Sequence, residues 1–248
     1  MKQAVRTFFE GQPYELETQI DEEAEIVVQA WRMKGDLPRQ WPAMLGEIVH
    51  NLRCALDYLT FQLVILETGS PPTESSKVQF PIFLKREGFN SRGVPTMLKD
   101  VGSIAQAIIE SVQPFATTND GIGAFQMLRL LSNWDKHRSI GVVCAYTSSK
   151  EVTIEADRED LIAGCGPIVF PSGELQDNTP IGGFKIPSGP GPLMERAARV
   201  KAKIDLSLFI AFDTPVAIHN VGALQILEDV SAEVLRVVER INKEVFKL

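Results

Sequence analysis

The sequence predicts an α+β fold, with a bundle of about four helices and antiparallel β-hairpins or sheet packed against it. Apolar residues recur at the three- and four-residue spacing of a helix within residues 41–138 and 221–246. Three shorter stretches alternate apolar and polar residues, which is the period of a strand. Because the chain has 248 residues, of which 44% are hydrophobic and 23% charged, we expect a single globular domain.

The amino-terminal part of the chain predicts a short helix and a β-hairpin. Residues 1–10 favour a helical stub that stops at Gly11 and Pro13. The segments YELETQI and EIVVQAWRM alternate apolar and polar residues and are separated by an acidic run, so we predict a hairpin over residues 14–34. We interpret its acidic side chains as a solvated scaffold face.

The stretch from Trp41 to Glu67 predicts one long helix that organises the rest of the chain. At about 100° per residue, its leucines recur on one face, whereas His50, Arg53 and Asp57 share roughly the opposite face. The helix carries few other charges, so we expect this polar stripe to be at least partly buried. A buried charge requires partners from another element.

A less regular region follows the long helix. Residues 71–98 place Pro, Gly and Ser at irregular intervals around the apolar segment Phe80–Leu84, which predicts an ordered excursion able to cover a cleft. Its basic side chains are Lys85, Arg86 and Arg92. The next segment, residues 101–112, predicts another helix that stops before Pro114.

A second cluster of polar side chains lies at the end of a helix predicted from residue 120 or 121 to residue 138. Helical spacing places four of them on or beside its apolar stripe: Asn133, Asp135, His137 and Arg138. Arg129, Ser132 and Lys136 are expected to point outward. Since an isolated buried charge is costly, we predict that Arg53 or Asp57 lies within hydrogen-bonding reach of this cluster.

Residues 139–213 predict the remaining β structure. SIGVVCAY and EVTIEA, joined by a TSSK turn, predict a second hairpin, and the segment from Lys203 to Asp213 is the clearest single strand. The Gly- and Pro-rich residues 164–192 match no phosphate-binding glycine motif and are expected to form a connecting loop. Residues 221–246 predict a final helix whose apolar stripe suits packing on the bundle or on a second copy in a homodimer.

Composition excludes several classes of protein. A formal net charge of -7 and a pI near 5.1 argue against a surface that binds nucleic acid everywhere, although a local basic groove stays open. Cys54, Cys144 and Cys165 form no CxxC pair, and we interpret them as free, buried packing residues. No stretch reaches the roughly eighteen apolar residues of a membrane span, so we expect a cytoplasmic protein that does not bind membranes.

The polar clusters leave two interpretations of function. No metal or cofactor is expected, because His50 and Asp57 lie about 10 Å apart along their helix. Covalent catalysis is not expected either, because no nucleophile elbow occurs. In one interpretation the two clusters form a buried network that fixes the register of two helices, as in a structural or interaction protein. In the other they line a pocket in which Arg53 and Arg138 clamp a phosphate-bearing ligand.

In the second interpretation the candidate catalytic residues are His50, Arg53 and His137, since the two histidines titrate nearest neutral pH and could move a proton. The candidate ligand-binding residues are Asp57, Asn133, Asp135 and Arg138.

Two motifs carry a resemblance to known proteins. GEIVHNLRCALDYLTFQLV and the later LSNWDKHR resemble, in the same order, the HNLRSALDHL and NxDKHR motifs of an uncharacterised family of bacterial and phage-associated proteins. More remotely, the first helix is similar to the HEPN superfamily of helical bundles, some of which are metal-independent, dimeric RNases. Arg53 matches the arginine of the HEPN motif, and Tyr58 stands at the position of its histidine. The resemblance implies RNA or a nucleotide as the ligand.

Overall fold

The fold is α+β and its sheets are antiparallel. The computed structural model describes residues 1–117, 122–137, 140–157, 159–162, 164–213 and 221–248. Two compact units are present: one contains Met1–Trp41 and Gly141–Ala223, and the other contains Pro42–Ile140 and Leu224–Leu248. All the strands belong to the first unit, and the two longest helices lie almost wholly in the second.

Five of the eight α-helices in the described part of the chain lie where the sequence predicts a helix, and the three shortest were not predicted. In chain order they are α1 (Lys2–Glu10), α2 (Trp41–Thr68), α3 (Arg86–Gly88), α4 (Ser103–Ser111), α5 (Ala124–His137), α6 (Glu159–Ile162), α7 (Leu193–Ala198) and α8 (Ala223–Ile241). A 3₁₀ turn occupies Ser75–Lys77, and π-helical segments occupy Phe89–Met97 and Asn242–Phe246. In the described part of the chain, no helix combines the length and the apolar character that crossing a membrane requires.

The strands form two antiparallel sheets in the first unit. In chain order they are β1 (Tyr14–Asp21), β2 (Ile26–Met33), β3 (Gly141–Ala156), β4 (Pro167–Val169), β5 (Gly173–Glu174), β6 (Pro180–Lys185) and β7 (Val200–Asp213). One sheet has the order β1-β2-β6-β4 and the other the order β5-β3-β7. The predicted first hairpin is confirmed, because β1 pairs with β2 from Tyr14 opposite Met33 to Asp21 opposite Ile26.

The core of the first unit lies between its two sheets. Trp31 from β2 and Ile181 from β6 pack with Cys144 from β3 in one buried cluster. A second cluster contains Val27 and Phe184 and is covered in part by Ile154 from β3. Both sheets therefore contribute residues to the same two buried clusters.

The prediction of a second hairpin over residues 139–156 is wrong. Residues Gly141–Ala156 form one strand, β3, which pairs with β7 from Gly141 opposite Asp213 to Ala156 opposite Val200. The predicted turn coincides with a shift in strand register between Ser148 and Val152. A long partner strand therefore satisfies the backbone hydrogen bonds that a hairpin would have made internally.

The prediction of a connecting loop over residues 164–192 is also wrong in its centre. β6 lies within this segment and pairs with both β2 and β4. Gly182 and Gly183 suit the strand because an added Cβ would meet Ile204 at the first position and the Val27 backbone at the second. Glycine permits this close approach while carrying none of the apolar alternation by which a strand is recognised in sequence.

The four longest α-helices of the second unit, α2, α4, α5 and α8, are those the sequence predicts, with small shifts at their ends. The apolar face of α2 is confirmed: Leu45, Leu56 and Leu63 are buried, although Leu66 near its end is 50% exposed. Phe80, from the excursion after α2, is also buried, and its ring lies 5.6 Å from that of Phe125 on α5. The excursion is thus an ordered part of this unit, as predicted.

Candidate functional site

Arg53 and Asp57 on α2 form hydrogen bonds with both backbone polar groups of Phe80, its N–H and its carbonyl oxygen. Arg53 donates through Nε and Nη2 to the Asp57 carboxylate at 3.1 and 2.7 Å, and through Nη2 to the Phe80 carbonyl oxygen at 2.6 Å. The Phe80 N–H donates to Asp57 Oδ1 at 2.8 Å. The side chains of Arg53 and Asp57 are 15% and 32% exposed. We call this arrangement the Phe80 clamp, and its bonds are of the strong, charge-assisted kind.

Gln113 holds the next residues of the same segment. Its Nε2 donates to the Pro81 carbonyl at 2.8 Å, and its Oε1 accepts the Phe83 N–H at 2.9 Å. Gln113 is itself buried, so neither backbone group has water as a ready substitute partner. Together with the Phe80 clamp, Gln113 fixes the backbone from Phe80 to Phe83 between α2 and the end of α4.

This fixed segment forms one wall of a small cavity of about 140 Å³ in the second unit, which we call the arginine pocket. Its polar lining comes from α2, from the excursion and from α5, and consists of Arg53, Gln79, Arg92, Arg129, Ser132 and Asn133. Its apolar lining consists of Phe80, Ile82, Phe83 and Met97.

The charges around the arginine pocket are unbalanced. Arg53 is neutralised by Asp57. Arg92 lies over the Phe83 ring, with its guanidinium carbon 5.5 Å from the ring centroid. Arg129 is half-buried. In the part of the chain that the structure describes, neither Arg92 nor Arg129 has a carboxylate partner, so the described lining of the pocket carries two positive charges in excess.

The two polar motifs are neighbours, but the predicted hydrogen bonds are not found among the residues of the second motif that the structure describes. Among described residues, Arg53 and Asp57 form no hydrogen bond with Asn133 or Asp135. Asn133 instead shares the arginine pocket with Arg53. Asp135 packs against α2 at Gly46, where an added Cβ would lie 2.7 Å from Asp135 Oδ1.

Two of the predicted site residues lie beyond what the structure describes: the side chain of His137 and the whole of Arg138. Their predicted roles, a proton carrier and an anion contact, therefore stay predictions. The main chain places His137 as the last residue of α5, one turn after Asn133.

The amino-terminal end of the predicted stripe, at His50, is exposed, and so is the neighbouring Cys54. His50 Nε2 lies 3.3 Å from Cys54 Sγ, and both residues are exposed, so the expectation that Cys54 is buried is wrong. Neither residue lines the arginine pocket. Cys144 and Cys165 are buried as expected, and desolvation by burial raises the pKa of the Cys144 thiol to about 12.

The structure adds Arg92 and Arg129 to the predicted site. Both were visible in the sequence as basic residues, but Arg129 and Ser132 were expected to point outward. That expectation is wrong, because Ser132 is only 8% exposed and both residues line the pocket covered by the excursion. A helical wheel shows which residues share a face, and it does not show that an irregular segment will cover the polar face as well.

No family model, curated protein or solved structure matches the chain. Among the described residues, no three His, Cys, Asp or Glu side chains are grouped so as to hold a metal ion. The case for a function therefore rests on the geometry and the charge of the arginine pocket.

Proposed function

We propose that the protein binds a phosphate-bearing ligand, a nucleotide or RNA, through the arginine pocket. The observation that carries the proposal is the pair of guanidinium groups, Arg92 and Arg129, that face one cavity without a carboxylate partner in the described part of the chain. Guanidinium groups bind phosphate oxygens through paired N–H donors. An anion in the pocket would supply the counter-charge that the protein does not.

Arg53 contributes to this proposal as a positioned donor. Its Nε and Nη2 are occupied by the Phe80 clamp, whereas its Nη1 has no partner among the described residues. A guanidinium whose orientation is already fixed loses little conformational freedom when it binds. Asn133 on α5 adds a neutral amide on the same cavity.

The size of the cavity limits what part of the ligand it holds. Pockets that enclose a drug-sized molecule usually measure about 300–1,000 Å³, whereas this one measures about 140 Å³. We therefore assign the phosphate group to the pocket and the rest of the ligand to the surface around it. Any chemical step on that ligand is proposed for His137 or His50 as the proton carrier, with Arg138 as a further anion contact.

The proposal includes the resemblance drawn from the two motifs. In it, the second unit is a bundle of about four helices related to HEPN proteins, two copies associate, and the protein acts in the cytoplasm. The support is the position of Arg53, which matches the HEPN arginine and lines the pocket. Analytical ultracentrifugation tests the association independently of ligand binding.

A second candidate function has an observation of its own. The Phe80 clamp already uses the charges of Arg53 and Asp57 within the protein. This arrangement favours a structural or interaction protein in which the polar residues serve the fold. Because the Phe80 clamp is present in either case, Arg53→Lys should lower the melting temperature under both functions. The alternative differs in that the wild type binds no phosphate-bearing ligand.

Calorimetric titration with inorganic phosphate and adenosine monophosphate tests the proposal. We expect Arg129→Met and Arg92→Met each to raise the Kd about tenfold or more, because each removes a charged donor from the lining of the pocket. The melting temperature of each variant should stay near that of the wild type.

Arg199→Met is the matched control, because it removes an exposed guanidinium in the other unit and makes the same change in net charge. If the pocket variants change the Kd no more than Arg199→Met does, the arginine pocket is not the binding site.

A further inference from the structure

The excess charge of the arginine pocket indicates which kind of phosphate it takes, an inference that rests on the proposed function. We infer that the site takes a terminal phosphate monoester, with two negative charges, in preference to an internal phosphodiester. The shared chemistry of such ligands is a phosphoryl group attached through a single ester oxygen. It occurs on small phosphorylated metabolites and at the phosphorylated end of a nucleic-acid strand.

The first argument is charge balance. Arg53 and Asp57 cancel, which leaves Arg92 and Arg129 uncompensated among the described residues. A phosphate monoester carries about 1.5 to 2 negative charges at pH 7, whereas each phosphodiester link carries one. Because Arg129 is half-buried, a charge left without a counter-ion there is costly. A monoester removes this imbalance, and a diester leaves roughly half of it.

The second argument is the number of arginine donors that line the cavity. The three arginines come from three separate elements, namely α2 for Arg53, the π-helical segment Phe89–Met97 for Arg92, and α5 for Arg129. A monoester presents three terminal oxygens, so each guanidinium can have one. A diester presents only two, and its second ester oxygen offers a weaker acceptor to the third arginine.

The third argument is space. A diester needs room for two substituents on the phosphorus, whereas a monoester needs room for one. The cavity measures about 140 Å³, and Phe80, Ile82 and Met97 occupy part of its wall. Phe80 cannot easily yield, because its N–H and carbonyl are both held by the Phe80 clamp. A single exit for the ligand fits these limits better than two.

The experiment compares adenosine 5′-monophosphate with its methyl ester on the wild-type protein, by calorimetric titration at fixed ionic strength. The two ligands share the nucleoside and differ by one charge and one substituent. We expect the monoester to bind at least tenfold more tightly than the methyl ester. In Arg129→Met, which leaves one excess charge, the preference should fall to about threefold or less.

Two further arms distinguish the source of the monoester: glycerol 3-phosphate, and a short oligonucleotide with or without a 5′-phosphate. Dependence of oligonucleotide binding on the 5′-phosphate supports the inference for strand ends, and tight binding of glycerol 3-phosphate supports it for small esters. The inference is wrong, and the proposed phosphate site stands, if the methyl ester binds as well as adenosine 5′-monophosphate and the oligonucleotide binds equally well with and without its 5′-phosphate. If no ligand binds, the proposed function fails and the inference with it.

Discussion

Arg53 and Arg129 line the same cavity from two helices, yet they differ in their hydrogen-bond and carboxylate partners. The Arg53 side chain is 15% exposed and donates three hydrogen bonds, two to Asp57 and one to the Phe80 carbonyl. Arg129 is half-buried and has no carboxylate partner in the described part of the chain. A guanidinium whose donors are used within the protein stabilises the fold, whereas one without partners costs stability until an anion arrives.

In the sequence analysis, a structural network and a ligand pocket are alternative roles for the same polar residues. The contrast between Arg53 and Arg129 assigns these two roles to different residues. Among the described residues, Arg53 and Asp57 make no hydrogen bonds to α5, and they bind the backbone N–H and carbonyl of Phe80 instead. The residues proposed to receive the ligand charge are Arg92 and Arg129, which belong to neither predicted stripe. Four substitutions test this division, and they are ordered here from the largest expected effect to the smallest.

Removing the carboxylate of the Phe80 clamp should cause the largest loss of stability. Asp57→Ala deletes the acceptor of two Arg53 hydrogen bonds and of the Phe80 N–H, and it leaves a mostly buried guanidinium without its counter-ion. We expect the free energy of unfolding to fall by about 3 kcal/mol. Urea denaturation followed by circular dichroism measures it.

Glu244→Ala is the control for Asp57→Ala. It removes the carboxylate of an ion pair with Arg240 that has the same four-residue spacing, lies in the same unit and is more exposed. Such pairs contribute about 0.2–1 kcal/mol. Equal costs for the two substitutions would show that the Phe80 clamp is no stronger than a surface ion pair.

Gln113→Leu should cause the second largest loss of stability. It tests the other side chain that holds the same backbone segment. The substitution leaves the Pro81 carbonyl and the Phe83 N–H without their partner in a buried place. We expect a loss of about 2 kcal/mol in the free energy of unfolding. Gln225→Leu, at an exposed position on α8, is the control and should change stability little. Wild-type stability of Gln113→Leu would contradict the assigned hydrogen bonds.

Gly46→Ala tests the contact between the two motifs and should have a moderate effect. Alanine normally stabilises a helix interior by about 0.5–1 kcal/mol relative to glycine. Here the new Cβ would lie 2.7 Å from Asp135 Oδ1, so the Asp135 carboxylate must move and we expect this stabilisation to be lost.

In the double variant with Asp135→Ala, the stabilisation by alanine should return. Thermal denaturation of the four proteins gives the coupling energy of the pair. A coupling energy near zero would mean that Asp135 turns away freely and that α2 and α5 do not constrain each other there.

Arg129→Met should have the smallest effect on stability and gives the sharpest form of the comparison. It removes a half-buried charge that has no carboxylate partner among the described residues, so we expect the free energy of unfolding to stay within about 0.5 kcal/mol of the wild type or to rise. Arg53→Met, the same substitution on the other side of the pocket, should cost several times more. Equal losses in the two variants, measured by urea denaturation without ligand, would remove the distinction between them.

Much of the secondary structure could be predicted from local pattern. The helix predicted from Trp41 to Glu67 extends from Trp41 to Thr68, and the hairpin predicted over residues 14–34 occupies Tyr14–Met33. In both cases the repeat of apolar residues reports directly which backbone geometry buries them. The pattern does not predict β6, because one proline and two glycines interrupt the alternation of apolar and polar residues in this strand.

The polar motifs show most clearly what local sequence determines and what depends on the tertiary structure. The sequence by itself determined that Arg53 and Asp57 share one side of α2 and can pair, because their four-residue spacing sets this within a single helix. Only the tertiary structure decided that their common partner is the Phe80 peptide, that Arg92 and Arg129 join Arg53 around one cavity, and that His50 stays outside it. The reason is physical: helical spacing is a local property, whereas the partner of a side chain depends on which distant backbone the fold brings near. Every residue carries the same N–H and carbonyl, so no residue type marks Phe80 in advance.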